Sequence, residues 1–218
     1  MKCVDSFFPE EQHRVAYNIH DIDSTSDKSF IYHYTGIDSV LGILSSKQIW
    51  LMDYSGLNDT KEGFLLFDAL SNRLSEQDQK VLYDVYEKIN KNTFVSSFSA
   101  FGNMLGLWRG YGSVNIGLSY PEIKYSHNFI EDLKGESLLT SGIQVESCTY
   151  VNDSTIEKTA IWLYSKFKWF MENSKKNYQL FALTLGNALY TAKHLGFFEE
   201  NEVRILYSFW NCNPFVSE

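Results

Sequence analysis

The chain has 218 residues, enough to bury a sizeable core without disulfide or metal staples. Acidic residues outnumber basic ones 27 to 19, and the formal net charge of −8 argues against a protein that clamps duplex nucleic acid across its whole surface. Cys3, Cys148 and Cys212 are odd in number and far apart, and no Cys or His spacing has the form of a zinc site. A reducing, cytoplasmic setting and no metal are therefore expected. No apolar run approaches membrane-spanning length, and the first residues lack the basic-then-apolar order of a secretion signal, so a soluble protein with no membrane partner is the expectation.

Residues 1–29 are polar and turn acidic in DIDSTSDKS; Val15, Tyr17 and Ile19 alternate as a short edge strand would, with a loosely docked arm as the other reading. The main domain is expected over 30–218. FIYHY (Phe30 to Tyr34) predicts a strand. Thr35 then has the place of a helix cap, with Asp38 where a capping box carries its acid, and Ile37, Val40, Leu41 and Leu44 give that helix one apolar face. Ile49 to Met52 returns as a strand. Asn58, Asp59 and Glu62 signal a second helix start, ahead of Phe64, Leu65, Phe67 and Leu70; Ser75 to Asn92 predicts a surface helix with Val81, Leu82, Val85 and Ile89 inward.

The stretch from Phe94 to Tyr120 predicts a strand, a turn bearing Ser and Gly, a short helix with Leu107 and Trp108, and a second strand from Val114. Such a strand-to-helix corner gathers backbone N–H groups and side chains in one concave place, where phosphate-bearing ligands tend to sit. Residues 121–140 read as mostly irregular or helical. Gly142 to Val151 alternates as a strand, Ile156 to Met171 and Tyr178 to His194 predict two helices joined by a polar turn, and EVRILYSFW from Glu202 predicts a strong strand. The order implies a single α+β domain with a mixed or mostly antiparallel sheet flanked by helices, rather than regular βαβ alternation.

Four constellations could carry chemistry. In Glu200-Asn201-Glu202-Val203-Arg204, strand alternation puts Glu200, Glu202 and Arg204 on one face. That is either a solvated edge with local ion pairing or a carboxylate, steadied by arginine, that stabilises an oxocarbenium-like ribose. In Tyr32-His33-Tyr34-Thr35, Thr35 is explained as a cap, while His33 is read as set apart from the apolar set of Ile31, and as either a hydrogen-bonded half-core residue or a ligand-holding one. Asn58 is the residue left over when Asp59 and Glu62 are explained by capping. In Trp108-Arg109-Gly110-Tyr111-Gly112, Arg109 could meet a phosphate by a bidentate contact and Tyr111 could stack on a flat ring; Ser97 and Ser99 could hydrogen-bond a sugar or amide, or simply form turns. There is no P-loop, GxGxxG, Ser/His/Asp arrangement or HExxH.

Taken together, YHYT, LNDTKE, FVSSFS with LGLWRGYG and VNIGLSY, CTYV and FFEENEVRIL resemble the bacterial domain-of-unknown-function family numbered 2971 over roughly Phe30 to Leu206. One departure is LNDTKE, where that family more often has proline after Asn-Asp. The layout is more remotely similar to NAD-dependent ADP-ribosyltransferases. That likeness implies an ADP-ribosyltransferase-like fold, with His33, Tyr34 and Thr35 at a first motif, Ser97 and Ser99 at a second, and Glu200 and Glu202 at a third. It further implies NAD as substrate, cleavage of the nicotinamide–ribose bond, Glu202 offsetting ribose charge, Glu200 orienting or deprotonating the acceptor, and Arg109, Tyr111 and Arg204 assisting NAD binding. The acceptor could be a protein, a nucleic acid or water, and a toxin or phage-defence role would suit a bacterial setting. The rival classes are a non-catalytic nucleotide- or protein-binding module and a structural adaptor.

Overall fold

Side-chain alternation along two adjacent strands decides the layering of the whole molecule. A computed structural model describes residues 14–18, 30–54, 61–119, 127–131, 137–173 and 178–209. Ile19, the acidic stretch before Phe30, the Asn58–Asp59 start signal and the turn at 174–177 lie outside these residues. The described strands are β1 (Arg14–Asn18), β2 (Phe30–Thr35), β3 (Gln48–Asp53), β4 (Thr93–Ser99), β5 (Val114–Ser119), β6 (His127–Glu131), β7 (Ser137–Ser147), β8 (Thr149–Val151), β9 (Ala192–His194) and β10 (Glu202–Phe209). The helices are α1 (Ile37–Ser46), α2 (Lys61–Ser71), α3 (Glu76–Lys91), α4 (Leu105–Tyr111), α5 (Asp153–Asn173) and α6 (Tyr178–Thr191), with a 3₁₀ turn at Leu195–Glu200. This is an α+β domain. No helix among the described residues is long and apolar enough to cross a membrane.

Eight strands form one sheet in the order β1-β3-β4-β10-β7-β6, with β2 and β5 branching from β4, and every described pair in it is antiparallel. Strands β8 and β9 form a separate parallel pair. The register of β10 on β4 sets Val203 and Ile205 across from Phe98 and Ser96, and Glu202, Arg204 and Leu206 across from Ser99, Ser97 and Val95. Val203, Ile205 and Phe98 pack with Ile31, Ile43, Ile49, Leu51 and Leu118 on one face. Leu206 and Val95 pack on the other, against Leu66, Leu82, Val85, Leu163, Phe167 and Leu185 of α2, α3, α5 and α6. Each such fully buried side chain contributes about 1.5–3 kcal/mol of burial free energy. Glu202 and Arg204 thus belong to the helix-covered face.

The sheet forks at β4. Strand β2 meets it at Tyr32↔Ser99, and β3 meets it at Met52↔Val95 and Asp53↔Phe94. On that side, no described strand lies opposite Ser96, Ser97 or Phe98. The two strands diverge there and leave an opening.

Several sequence expectations need correction. Thr35 is the last residue of β2, and Gly36 is the N-cap of α1 with no side-chain cap bond, so there is no capping box. The expected inward face of α1 is exposed: Ile37, Leu41 and Leu44 are 61%, 59% and 59% accessible, and Ile43 is the buried residue. Ser39, Gly42, Ile43 and Ser46 recur at helical spacing and line an open cavity, with Ile43 the one of them that is buried. Residues 127–131 are strand, and β7 already begins at Ser137, within the stretch expected to be irregular or helical. Helix α6 stops at Thr191, because the next three residues pair with β8 (Tyr150↔Lys193); tertiary pairing overrides the helical pattern. The α3 reading holds, with Ser75 as N-cap accepting from Asp78 N–H and Leu82, Val85 and Ile89 buried. Strand β1 has the edge position that the alternation of Val15 and Tyr17 allowed.

Gly112 joins α4 to β5 with φ +144° and ψ 171°, a conformation essentially restricted to glycine, and a Cβ there would lie 2.2 Å from the Thr35 carbonyl oxygen. Gly112→Ala is expected to lower the unfolding free energy by about 1–3 kcal/mol or more. Gly110→Ala on the same helix, where an added Cβ meets nothing within 4 Å, should instead be neutral or stabilising by up to about 1 kcal/mol. Urea midpoints of the two variants check this; equal midpoints would contradict it.

Candidate functional site

A cavity of about 720 Å³ occupies the fork, within the size range of small-molecule sites. Because the sheet is open there, side chains from both of its faces reach the same space. Ile43, Ile49, Trp50, Met52 and Phe98 make apolar walls, and His33, Ser97, Lys193, Glu200, Glu202 and Arg204 make the polar end.

The polar end is built around Glu202, which is 6% exposed. Arg204 Nε donates to its Oε1 at 2.8 Å, and Lys193 Nζ donates to its Oε2 at 2.5 Å. The same ammonium donates to Glu200 Oε2 at 2.5 Å, and Arg204 Nη1 donates to the Tyr190 carbonyl at 2.5 Å. Burial alone would raise the Glu202 carboxyl, but the charges and hydrogen bonds of Arg204 and Lys193 outweigh it and hold the group below its usual value. Lys193 is raised: burial opposes its charge, and the two carboxylates prevail. The Cys148 thiol nearby is pushed up to about 12, chiefly by burial. The shifts of Glu202 and Lys193 both favour their charged forms. The Glu202 shift contributes stability above the ordinary carboxylate value of 4.5 that is lost as pH falls through the depressed folded value.

The backbone pins this geometry. Asn201 adopts the left-handed conformation (φ 45°), as asparagine tolerates. Its carbonyl accepts from Ala100 N–H, the Glu202 carbonyl accepts from Cys148 N–H, and the Glu202 N–H donates to the Tyr150 hydroxyl at 2.8 Å. Ser99 Oγ donates to the Glu200 carbonyl at 2.8 Å.

His33 lies at the open edge of β4. Its Nδ1 is 3.1 Å from the Ser97 carbonyl and its ring centroid 5.3 Å from that of Phe98. A carbonyl can only accept, so Nδ1 carries the proton, and in the neutral ring Nε2 is an acceptor. Burial lowers the His33 pKa more than this hydrogen bond raises it. Because Ser97 directs its carbonyl into the fork, its N–H faces the same way, as both groups of one strand residue do.

The structure brings together His33, Tyr34, Thr35, Ser97, Tyr111, Glu200, Glu202 and Arg204 around one cavity. It also revises several of their expected parts. The solvated-edge reading of Glu202 and Arg204 is overturned, since both are buried. Glu200 ends the 3₁₀ turn rather than continuing strand alternation, and meets Glu202 through Lys193. His33 is not set apart from Ile31: residues two apart on a strand share a face, and His33 packs on the Phe98 side. Tyr34 is largely a brace. Its hydroxyl donates to the Phe101 carbonyl and accepts from Met104 N–H, and its ring meets Trp108 edge-on at 5.2 Å. Ser99 is buried, does not line the cavity, and ties down the Glu200 turn. Arg109 is exposed and does not line the cavity either. Leu107 and Tyr111, four apart on α4, line the cavity, and a residue two from each must point away from it.

Lys193 is the site residue that the sequence reading missed. Its signal was a lone lysine in the run ALYTAKHLG, seven residues before Glu200 and nine before Glu202. No family model, curated protein or solved structure matches this chain.

His33 is expected to titrate below 6.5 by NMR of its imidazole. The sign follows: the folded state resists protonation, so stability is unaffected above about 6.5 and declines as pH falls from there towards the lower folded value. A His33 titration at or above 6.5 would contradict the assigned environment.

Proposed function

We propose that the protein is an ADP-ribosyltransferase-like enzyme that cleaves the nicotinamide–ribose bond of NAD. The observation that carries this reading is a buried carboxylate, Glu202, held below its usual pKa by Arg204 and Lys193 at the polar end of a nucleotide-sized cavity that also receives His33. When the C1′–N bond breaks, its electron pair goes to the ring nitrogen, leaving neutral nicotinamide and a cationic ribose. A fixed anion beside that ribose lowers the barrier, and one that is already oriented has little reorganisation to undergo. Lys193 and Arg204 occupy part of the hydrogen-bonding capacity of Glu202, and a carboxylate has about four acceptor positions, so a ribose hydroxyl can still be received. His33 Nε2 offers an acceptor to the same sugar or to the carboxamide N–H, and Tyr111 offers a ring at the cavity wall. The nucleophile, whether water or a protein or nucleic-acid group, adds at C1′ and loses its proton. Arg109 has no part in the cavity, so the pyrophosphate contact once expected from it is not included.

A non-catalytic nucleotide- or protein-binding module is the second reading, and one observation favours it. Glu200, Glu202, Lys193 and Arg204 are already paired with one another, a closed set that would suit a passive site as well.

Purified protein incubated with NAD is expected to release nicotinamide, alone or with cell lysate as a source of acceptor. Glu202→Gln should lower that release by about 10²–10³-fold, the usual loss for one electrostatic stabiliser, while NAD binding by calorimetry changes little. The calorimetric signal also reports whether the variant is folded. Wild-type protein that binds NAD and releases nothing under both conditions favours the binding module, and a Glu202→Gln protein of undiminished activity removes Glu202 from the chemistry.

A further inference from the structure

The small sheet formed by β8 and β9 adds Val151 and Ala192 to the helix-side core, and its remaining central residues, Tyr150 and Lys193, both reach Glu202. In its parallel register Tyr150 stands opposite Lys193. The Tyr150 hydroxyl accepts the backbone N–H of Glu202, and the Lys193 ammonium holds its side-chain Oε2. Lys193 is 2% exposed, and its Nζ lies 5.2 Å from the centre of the Phe197 ring, which covers it from the 3₁₀ turn.

A purely structural role explains this poorly. Burying an ion costs several kcal/mol even after relaxation, and apolar side chains of equal volume are commonly as stable or more so. What three buried charges, with the half-buried Glu200 beside them, do provide is fixed direction. A carboxylate gripped at both oxygens, with its own N–H also tied, cannot rotate away from the cavity.

We propose that Lys193 is a positioning residue of the site, acting with Tyr150 as a two-point bracket that keeps Glu202 ionised and aimed into the cavity. The role rests on the reading of Glu202 as the working carboxylate, but the bracket itself can be measured without it. The groups facing Glu202 are Arg204 on its own strand, Lys193 on β9, Glu200 on the 3₁₀ turn, Tyr150 on β8 and Cys148 after β7, with His33 across the cavity. Of these Lys193 and Arg204 are the cations, and Arg204 alone remains when Lys193 is removed.

The test compares wild type, Lys193→Met and Lys193→Arg in two readouts. The first is the pH profile of nicotinamide release. Loss of an adjacent opposite charge moves a carboxyl by roughly 1–3 pH units, so the acid limb of kcat/KM should shift up by that amount in Lys193→Met, with kcat falling and KM little changed. Lys193→Arg should restore the limb. The second is the Glu202 carboxyl titration by ¹³C NMR, assigned by its loss in Glu202→Gln, which should show the same upward shift with or without NAD. Lys193→Gln replaces Lys193→Met if the latter does not fold. Unchanged titration in a folded, neutral variant overturns the bracket. A wild type that releases no nicotinamide while the titration shifts as expected sinks the NAD reading and leaves the bracket standing.

Discussion

The ion pairing of Glu202 with Lys193 and Arg204 is the constraint around which this molecule is arranged. At 4 Å and an effective dielectric constant near 20, a unit-charge pair gains about 4 kcal/mol, close to the several kcal/mol that burial of each ion costs. The two effects nearly cancel, so the cluster depends on good geometry and on the hydrogen bonds that Lys193 and Arg204 make to both oxygens of Glu202. That requirement reaches far along the chain. It needs α6 to end at Thr191 so that β9 can deliver Lys193, a left-handed Asn201 to turn the chain into β10, and the Tyr190 carbonyl to receive Arg204.

The fork in the sheet gives this cluster something to act on. In an unbroken antiparallel sheet Glu202 and His33 would be kept on opposite faces, since the registers through β4 put them on opposite sides of the pleat. Divergence of β2 and β3 at Ser96, Ser97 and Phe98 removes the barrier between them. His33 then takes the place of a strand neighbour by donating to the Ser97 carbonyl, which satisfies an exposed edge and fixes the tautomer in one step. Apolar walls from α1, β3 and β4 meet the charged end of the cavity, an arrangement that suits a ligand with one flat or apolar part and one sugar-like part.

Much of this was legible in the sequence, and the failures have physical causes. Periodicity located α3 with its cap and the β4 and β10 strands, whereas the meeting of the early histidine with the late Glu-x-Glu in one cavity was implied only by the remote resemblance. Periodicity failed for α1, where four apolar residues at helical spacing suggested a buried face, whereas Ile37, Leu41 and Leu44 are exposed and Ile43 alone is buried. It failed for Arg109, whose glycine neighbours suggested room to reach a phosphate, because helix α4 turns that side chain away from the cavity. Glu202 and Arg204 read equally well as an exposed pair, since spacing carries no information about burial. Lys193 was hidden for another reason: it is carried by β9, a three-residue parallel strand inside a stretch whose pattern reads as helix. Charge pairing across the fold, not along the chain, is what defines the site.

The most direct test of the account is a crystal structure of the Glu202→Gln protein soaked with NAD. The account predicts the nicotinamide ribose in the fork between β2 and β3, its hydroxyls within hydrogen-bonding distance of residue 202, and the ring or carboxamide near His33. Dinucleotide bound elsewhere on the surface, or a fork that stays without it at saturating concentration, would contradict the account.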